Sequence, residues 1–291
     1  MAALRRWLSG IAVCAGLSML ACSGCGKTSG VAPAASADES AARQIAPPVP
    51  APREIPPEAK AQARSPEVEI AAAATEVDGK RVDVAAFTID RTEVTVDAYA
   101  KCVTAKRCTK PSIDSPLCNW KQRDARSQHP INCVTYAQAT AFCESEQKRL
   151  PTAAEWQLAA GGSDARTYPW GAERPSNLWS DDAPEDQPGP GRHRLCWSGD
   201  GTDKDTTYPA TTCPVHTYPS GDTPDGIADL AGNVAEWTAS PQKLPQGKTA
   251  QLSYGGGFRY DPMGILKVRV QDSFPFPPDT HAPDLGFRCA R

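Results

Sequence analysis

Arg149-Leu-Pro-Thr-Ala-Ala-Glu-Trp156 carries more of the fold than any other stretch of this 291-residue chain. Thr152 and Glu155 stand at capping-box spacing, each able to satisfy the other's free backbone N–H. Trp156 and Ala159 then begin an apolar face, and Gly161-Gly162 supplies the stop. The spacing predicts a short helix starting after Thr152. The same device recurs upstream, where Thr135 and Gln138 precede Ala139, Phe142 and Cys143. Further back, Thr95 caps a helix whose Val96, Tyr99, Ala100 and Val103 share a face. Before it, Phe87-Thr-Ile-Asp-Arg-Thr-Glu-Val94 reads as a strand, and Val68 to Ala86 alternates weakly enough for one or two more. Beyond Gly162 the chain is rich in Gly, Pro, Asp and Trp without helical period, so no long helix is expected there.

Three downstream segments answer the first. They are Asp229-Leu-Ala-Gly-Asn-Val-Ala-Glu-Trp237, Gly255-Gly-Gly-Phe258 and the terminal Leu285-Gly-Phe-Arg-Cys-Ala-Arg291. In this order, from about Phe87 to Arg291, the set resembles the formylglycine-generating enzyme family, also called sulfatase-modifying factor domains. The resemblance implies a mixed α+β fold related to C-type lectins, low in regular structure. Such a domain needs staples, which disulfides together with bound ions would supply. The family's usual opening strand with a Phe-x-Met-Gly sequence is missing here, so that strand is either degenerate or absent.

The family's oxidase chemistry depends on two cysteines, five residues apart, shortly after the Gly-Gly segment. Soft thiolates are what copper(I) requires. Laid on this chain, those two places fall on Tyr260 and Ile265. A phenol and an alkyl group replace two thiols, so no copper is expected and the inherited oxidation is not. Arg259, Tyr260, Asp261 and Arg269 are the residues that would line the former substrate cleft, and Arg and Tyr suit recognition surfaces. Surface ion pairs and packing explain them equally well. The four histidines stand far apart, with no His-x-x-x-His, and no phosphate loop or nucleophile elbow is present.

Calcium is a second expectation drawn from the resemblance. Asn233 and Glu236 are oxygen donors three apart beside Gly232, the kind of ligand a hard cation takes together with carbonyls. The competing reading is a capped turn around a core Trp237. The family's other calcium site implies Asn177, after Tyr168-Pro-Trp-Gly171, and an Asp further on, for which Asp205 is chosen from several in a variable loop.

Eleven cysteines have to be sorted. Cys14 lies in an export signal, residues 1–21, with Arg5 and Arg6 ahead of an apolar run of about 14 residues, too short for a lasting span. Met19-Leu-Ala-Cys22 resembles a lipobox, with Cys22 the lipidation site; a plain signal cut near Ala21 is the alternative. Ser23 rather than Asp then implies outer-membrane sorting. Cys25 is surplus. The remaining eight, an even number in an exported domain, read as four disulfides, with a zinc cluster as the rival. The resemblance implies Cys143–Cys289. The others pair locally as Cys102–Cys108, Cys118–Cys133 and Cys196–Cys213. A further family bridge would need cysteines where Ala160 and Val270 stand, and both are missing together.

Residues 22–66 are Ala/Pro-rich, a semi-rigid spacer that cannot bury a core, leaving residues 67–291 as the domain. Losing Arg5 and Arg6 with the signal takes the formal charge from −3 to −5, and no basic cluster interleaved with aromatics is apparent, which argues against nucleic acid. The expectation is an envelope protein, held on the membrane through Cys22 and facing the periplasm or cell surface. Its predicted work is non-catalytic binding of a peptide or other envelope component. A formylglycine-generating oxidoreductase, or another activity in the same cleft, is the alternative.

Overall fold

The computed structural model describes residues 66–112, 115–173, 194–197, 211–259 and 268–291. The signal, Cys22 and the spacer up to residue 65 lie outside the described residues, as do Asn177, Asp205, Tyr260, Asp261 and Ile265. Among the described residues no helix is long and apolar enough to cross a membrane.

The described residues begin with strands, more of them than the weak alternation suggests. β1 (Glu67–Ile70) pairs antiparallel with β4 (Phe87–Asp90), and between them β2 (Ala73–Val77) and β3 (Lys80–Val84) form a hairpin of their own. Asp78 and Gly79 turn that hairpin with φ of 51° and 73°, the left-handed pair that a two-residue Asp-Gly loop favours. β1 thus stands where the degenerate opening strand was in doubt.

Three short helices follow, all begun by threonine. α1 (Val96–Thr104) is capped by Thr95, whose side chain accepts from the Ala98 N–H. Its inward face is Val96, Tyr99 and Cys102, with Cys102 bridged to Cys108; Ala100 and Val103 are only half-buried. α2 (Tyr136–Ser145) and α3 (Ala153–Gly161) each start with a complete capping box, on Thr135/Gln138 and Thr152/Glu155. α3 stops at Gly162, whose φ of 66° suits a residue without Cβ.

The second half of the described chain is strand and loop. β5 (Ala235–Lys243), β6 (Thr249–Tyr254), β7 (Ser273–Phe276) and β8 (Leu285–Gly286) make a four-stranded sheet in the order β7-β6-β5-β8, with β8 parallel to β5. A core of Trp156, Tyr254, Ile89 and Leu230 lies between α3, β4 and β6. A second, of Tyr99, Phe142, Trp237 and Phe287, joins α1 and α2 to β5 and β8. Full burial of side chains this large contributes roughly 1.5–3 kcal/mol each. Four disulfides staple the whole: Cys102–Cys108, Cys118–Cys133, Cys143–Cys289 and Cys196–Cys213. All eight cysteines from Cys102 onward are therefore consumed as pairs, which removes the zinc alternative.

Candidate functional site

The quoted sequence segments meet at one carboxylate. Glu236 enters β5 with no solvent exposure. Its Oε2 accepts from the indole Nε1–H of Trp156 at 2.7 Å and from Arg288 Nε–H at 2.7 Å, and its Oε1 from Arg288 Nη2–H at 2.7 Å. Arg288 is fully buried as well, and its remaining N–H groups go to the carbonyls of Asp90, Arg91 and Ala228. Burial alone would lower its pKa, but Glu236, Glu93 and Asp229 together raise it above the ordinary guanidinium value. Trp156 stacks on Tyr254, with ring centroids 5.1 Å apart, which fixes the indole that faces Glu236. One step further out, Arg149 forks onto Glu155 at 2.7 and 2.6 Å, and the Arg149 and Ala290 backbones exchange two hydrogen bonds. Gly286 admits the terminal strand: a Cβ there would lie 2.6 Å from the Ile131 carbonyl oxygen.

Around this pair the core holds more acid than base. Glu93 is 1% exposed, and neither carboxyl oxygen has a hydrogen-bond partner. Burial pushes its pKa well above the usual 4.5, and repulsion from Asp229 and Glu236 adds to that against the pull of Arg288. Asp229 is shifted upward too, chiefly by burial, although its Oδ2 accepts from the His216 backbone N–H at 2.5 Å. The His216 ring in turn faces Asp222 at 2.8 Å. A carboxyl whose folded pKa is raised takes up a proton on folding. Its contribution is therefore most favourable below about pH 4.5, and stability declines as pH rises toward the folded value. Glu93→Met keeps the volume and removes the titration. The expected result is a gain of about 1–3 kcal/mol at neutral pH, shrinking as the pH falls to 4. Denaturant midpoints across that range check it; a variant less stable at pH 7.5 than the parent would contradict the assignment.

The calcium donors look different in three dimensions. Asn233 Oδ1 accepts from the Cys213 N–H at 3.0 Å, and Glu236 has both oxygens committed to Arg288 and Trp156. A guanidinium already stands where a cation would have to approach, so this donor pair does not fit calcium as arranged. Nor is the segment simply a capped turn: after Gly232 and Asn233, both at positive φ, it becomes strand β5. Among the described residues no group of three or more His, Cys, Asp or Glu side chains is placed to hold a metal. For copper(I), the donor chemistry does not fit: the two expected places carry a phenol and an alkyl chain, and the eight cysteines from Cys102 onward are locked in disulfides.

Of the residues expected to line a cleft, Arg259 is exposed beside the buried Phe258. Arg269 is tied to Asp272 by Nε–H at 3.1 Å and Nη2–H at 2.9 Å, an exposed pair of little energetic weight. Ala160 and Val270, where a further family bridge would need cysteines, are both buried in the apolar cluster around α3. Sequence reading missed Glu93, Asp229 and Arg288 as partners of Glu236. Periodicity does not flag a buried charge, and only the order of the segments pointed that way.

A family profile described as the sulfatase-modifying factor enzyme 1-like domain matches residues 58–291. The formylglycine-generating enzyme of Thermomonospora curvata is 34% identical over 186 residues, covering 57% of this chain and 56% of that protein. The inactive C-alpha-formylglycine-generating enzyme 2 of Mus musculus is 33% identical over 168 residues, covering 55% of this chain and 48% of that one. The chain thus spans about half the length of the curated relatives it matches. Among solved structures, CarF is 22% identical with a TM-score of 0.56, covering 77% of this chain and 97% of that one. PvdO from Pseudomonas aeruginosa is 19% identical with a TM-score of 0.51, covering 78% and 92%. These likenesses are evidence of fold alone. The α+β core stapled by four disulfides, with its diagnostic segments closing on Glu236, is that of the sulfatase-modifying factor domains, and the chain belongs to this family, in which some members are inactive.

Proposed function

We propose that this domain binds a peptide or another envelope component in the cleft that follows Gly257, without oxidising it. The observation that carries the reading is the pair Tyr260 and Ile265, standing where the family resemblance places copper-binding thiols. The framework of the described residues is intact: Glu236, Arg288 and Trp156 are joined by short hydrogen bonds, and the cysteines from Cys102 onward are paired. A scaffold kept while its reacting groups are replaced is suited to recognition, and the mouse relative called inactive offers a precedent of the same kind. The exposed Arg259, next to Tyr260 in the sequence, is a cation available to such a ligand.

Lipidation at Cys22 and a position at the outer membrane, facing the periplasm or cell surface, belong to the same proposal. Metabolic labelling with an alkyne fatty acid tests the anchor, and an unlabelled chain would remove it. The function itself is tested by incubating the protein with copper(I), oxygen and a Cys-x-Pro-x-Arg peptide. No aldehyde is expected. A formylglycine product would restore the oxidoreductase and overturn the non-catalytic reading.

A further inference from the structure

We propose that a groove between α1 and Trp120 binds an apolar carboxylate, with the C-terminal residue of a peptide as its occupant. The groove encloses about 240 Å3 and is lined by Ala100, Val103, Thr104, Lys110, Trp120 and Arg123. None of these residues belongs to the cleft after Gly257, so this reading and the proposed function fail independently.

The walls are fixed before any ligand arrives. Trp120 packs edge-on against the buried Tyr99, ring centroids 6.0 Å apart at 85°. Arg123 lays its guanidinium over the same indole, 5.7 Å from the centroid. On the opposite side, the Cys102–Cys108 bridge folds the chain back along α1, and Gln138 Nε2–H holds the Lys110 carbonyl at 3.1 Å. Lys110 is thereby brought to the same groove as Arg123.

The groove's charge is not cancelled locally. Asp97 is taken by Lys101 at 2.8 Å and Glu146 by Arg107 at 3.0 Å. Among the described residues, neither Lys110 nor Arg123 has a carboxylate partner. Of the last carbonyls of α1, which would repel an anion, those of Lys101, Cys102 and Val103 accept from the N–H groups of Ala105, Arg107 and Lys106, which leaves that of Thr104 for the two cations to outweigh. A locally basic site therefore sits on a chain whose formal charge is −3. It went unseen in the sequence because Lys110, Trp120 and Arg123 are not consecutive.

Charge complementarity calls for one anionic group, and the rest of the lining narrows its body. Ala100 and Val103 make an aliphatic floor, and the Thr104 hydroxyl is spent on the Ala100 carbonyl at 2.9 Å. A sugar would find few partners for its hydroxyls, and bare phosphate would leave the floor uncovered. A terminal aliphatic residue answers both features, with its carboxylate between Lys110 and Arg123 and its side chain on Val103. Capture of a terminal carboxylate is a recurring mode of peptide recognition.

The test follows the indole N–H resonance of Trp120 in the full domain, assigned with Trp120→Phe. The probes are N-acetylleucine, N-acetylleucinamide and inorganic phosphate. The acid is expected to give a saturable shift, with the amide weaker by about tenfold or more. Lys110→Met and Arg123→Met, both at exposed positions, should each weaken the acid about fivefold or more while the remaining resonances stay in place. Equal binding of acid and amide would reduce the groove to an uncharged crevice and overturn the proposal. Phosphate matching the acid would overturn the apolar part, and no saturable shift with any probe would remove the site.

Discussion

Arg288→Met is expected to destabilise the domain by about 3–5 kcal/mol, the usual consequence of leaving a buried charge without its partner. Glu236 would keep only the Trp156 N–H, and the carbonyls of Asp90, Arg91 and Ala228 would each lose a donor. The loss spreads further, because Arg288 is also the cation that restrains Glu93 and Asp229. Glu236→Leu alone strands the guanidinium in the same way. The double variant removes both charges at once and should recover roughly 2–3 kcal/mol relative to the sum of the two singles. It remains below the parent, since the carbonyls that Arg288 served lose its N–H groups and the indole N–H loses Glu236, although the Arg91 carbonyl keeps the Ala228 N–H. Urea titration of all four proteins checks this. Simple additivity would mean that the pair contributes nothing as a pair, and the picture of a charge-matched core would have to go.

That pairing also explains what was legible in the sequence and what was not. Thr95, Thr135 and Thr152 announced their helices because a cap is a local device: the residues that satisfy the backbone lie within three positions. The Asp78-Gly79 turn was equally local and would have revealed the β2–β3 hairpin had it been weighed as a turn signal. Glu236 was misread for the opposite reason. Two oxygen donors three apart beside a glycine suggest a common ligand, yet β5 begins at Ala235 and carries Glu236 against Arg288, far along the chain. No spacing rule connects those two residues. Glu93 is harder still, because nothing in Arg-Thr-Glu-Val distinguishes a surface glutamate from one buried without a partner. The groove at Trp120 sits between these cases: its residues come from one stretch of chain, but a disulfide brings them together.

Removing the Cys143–Cys289 bridge, as the Cys143→Ala/Cys289→Ala double variant, is expected to cost about 4–5 kcal/mol. The bridge closes a loop with a sequence separation of 146, the longest of the four, so the chain-entropy argument gives it the largest effect. By the same argument Cys102–Cys108, with a separation of 6, contributes about 2 kcal/mol. Native geometry supports the ranking. Cys289 lies between Arg288, which holds the central carboxylate, and Ala290, whose backbone pairs with both Ile89 and Arg149. Untethering the terminal segment therefore weakens the ion pair, the β4 edge and the entry to α3 together. Both cysteines are fully buried, and alanine leaves a small cavity that adds to the loss. The comparison to make is thermal and denaturant unfolding of this variant against Cys102→Ala/Cys108→Ala. The long bridge should lower the midpoint about twice as far. If the two variants unfold alike, the terminal segment is held by its hydrogen bonds and Arg288 alone, and the staple at Cys289 is not what keeps the sheet closed.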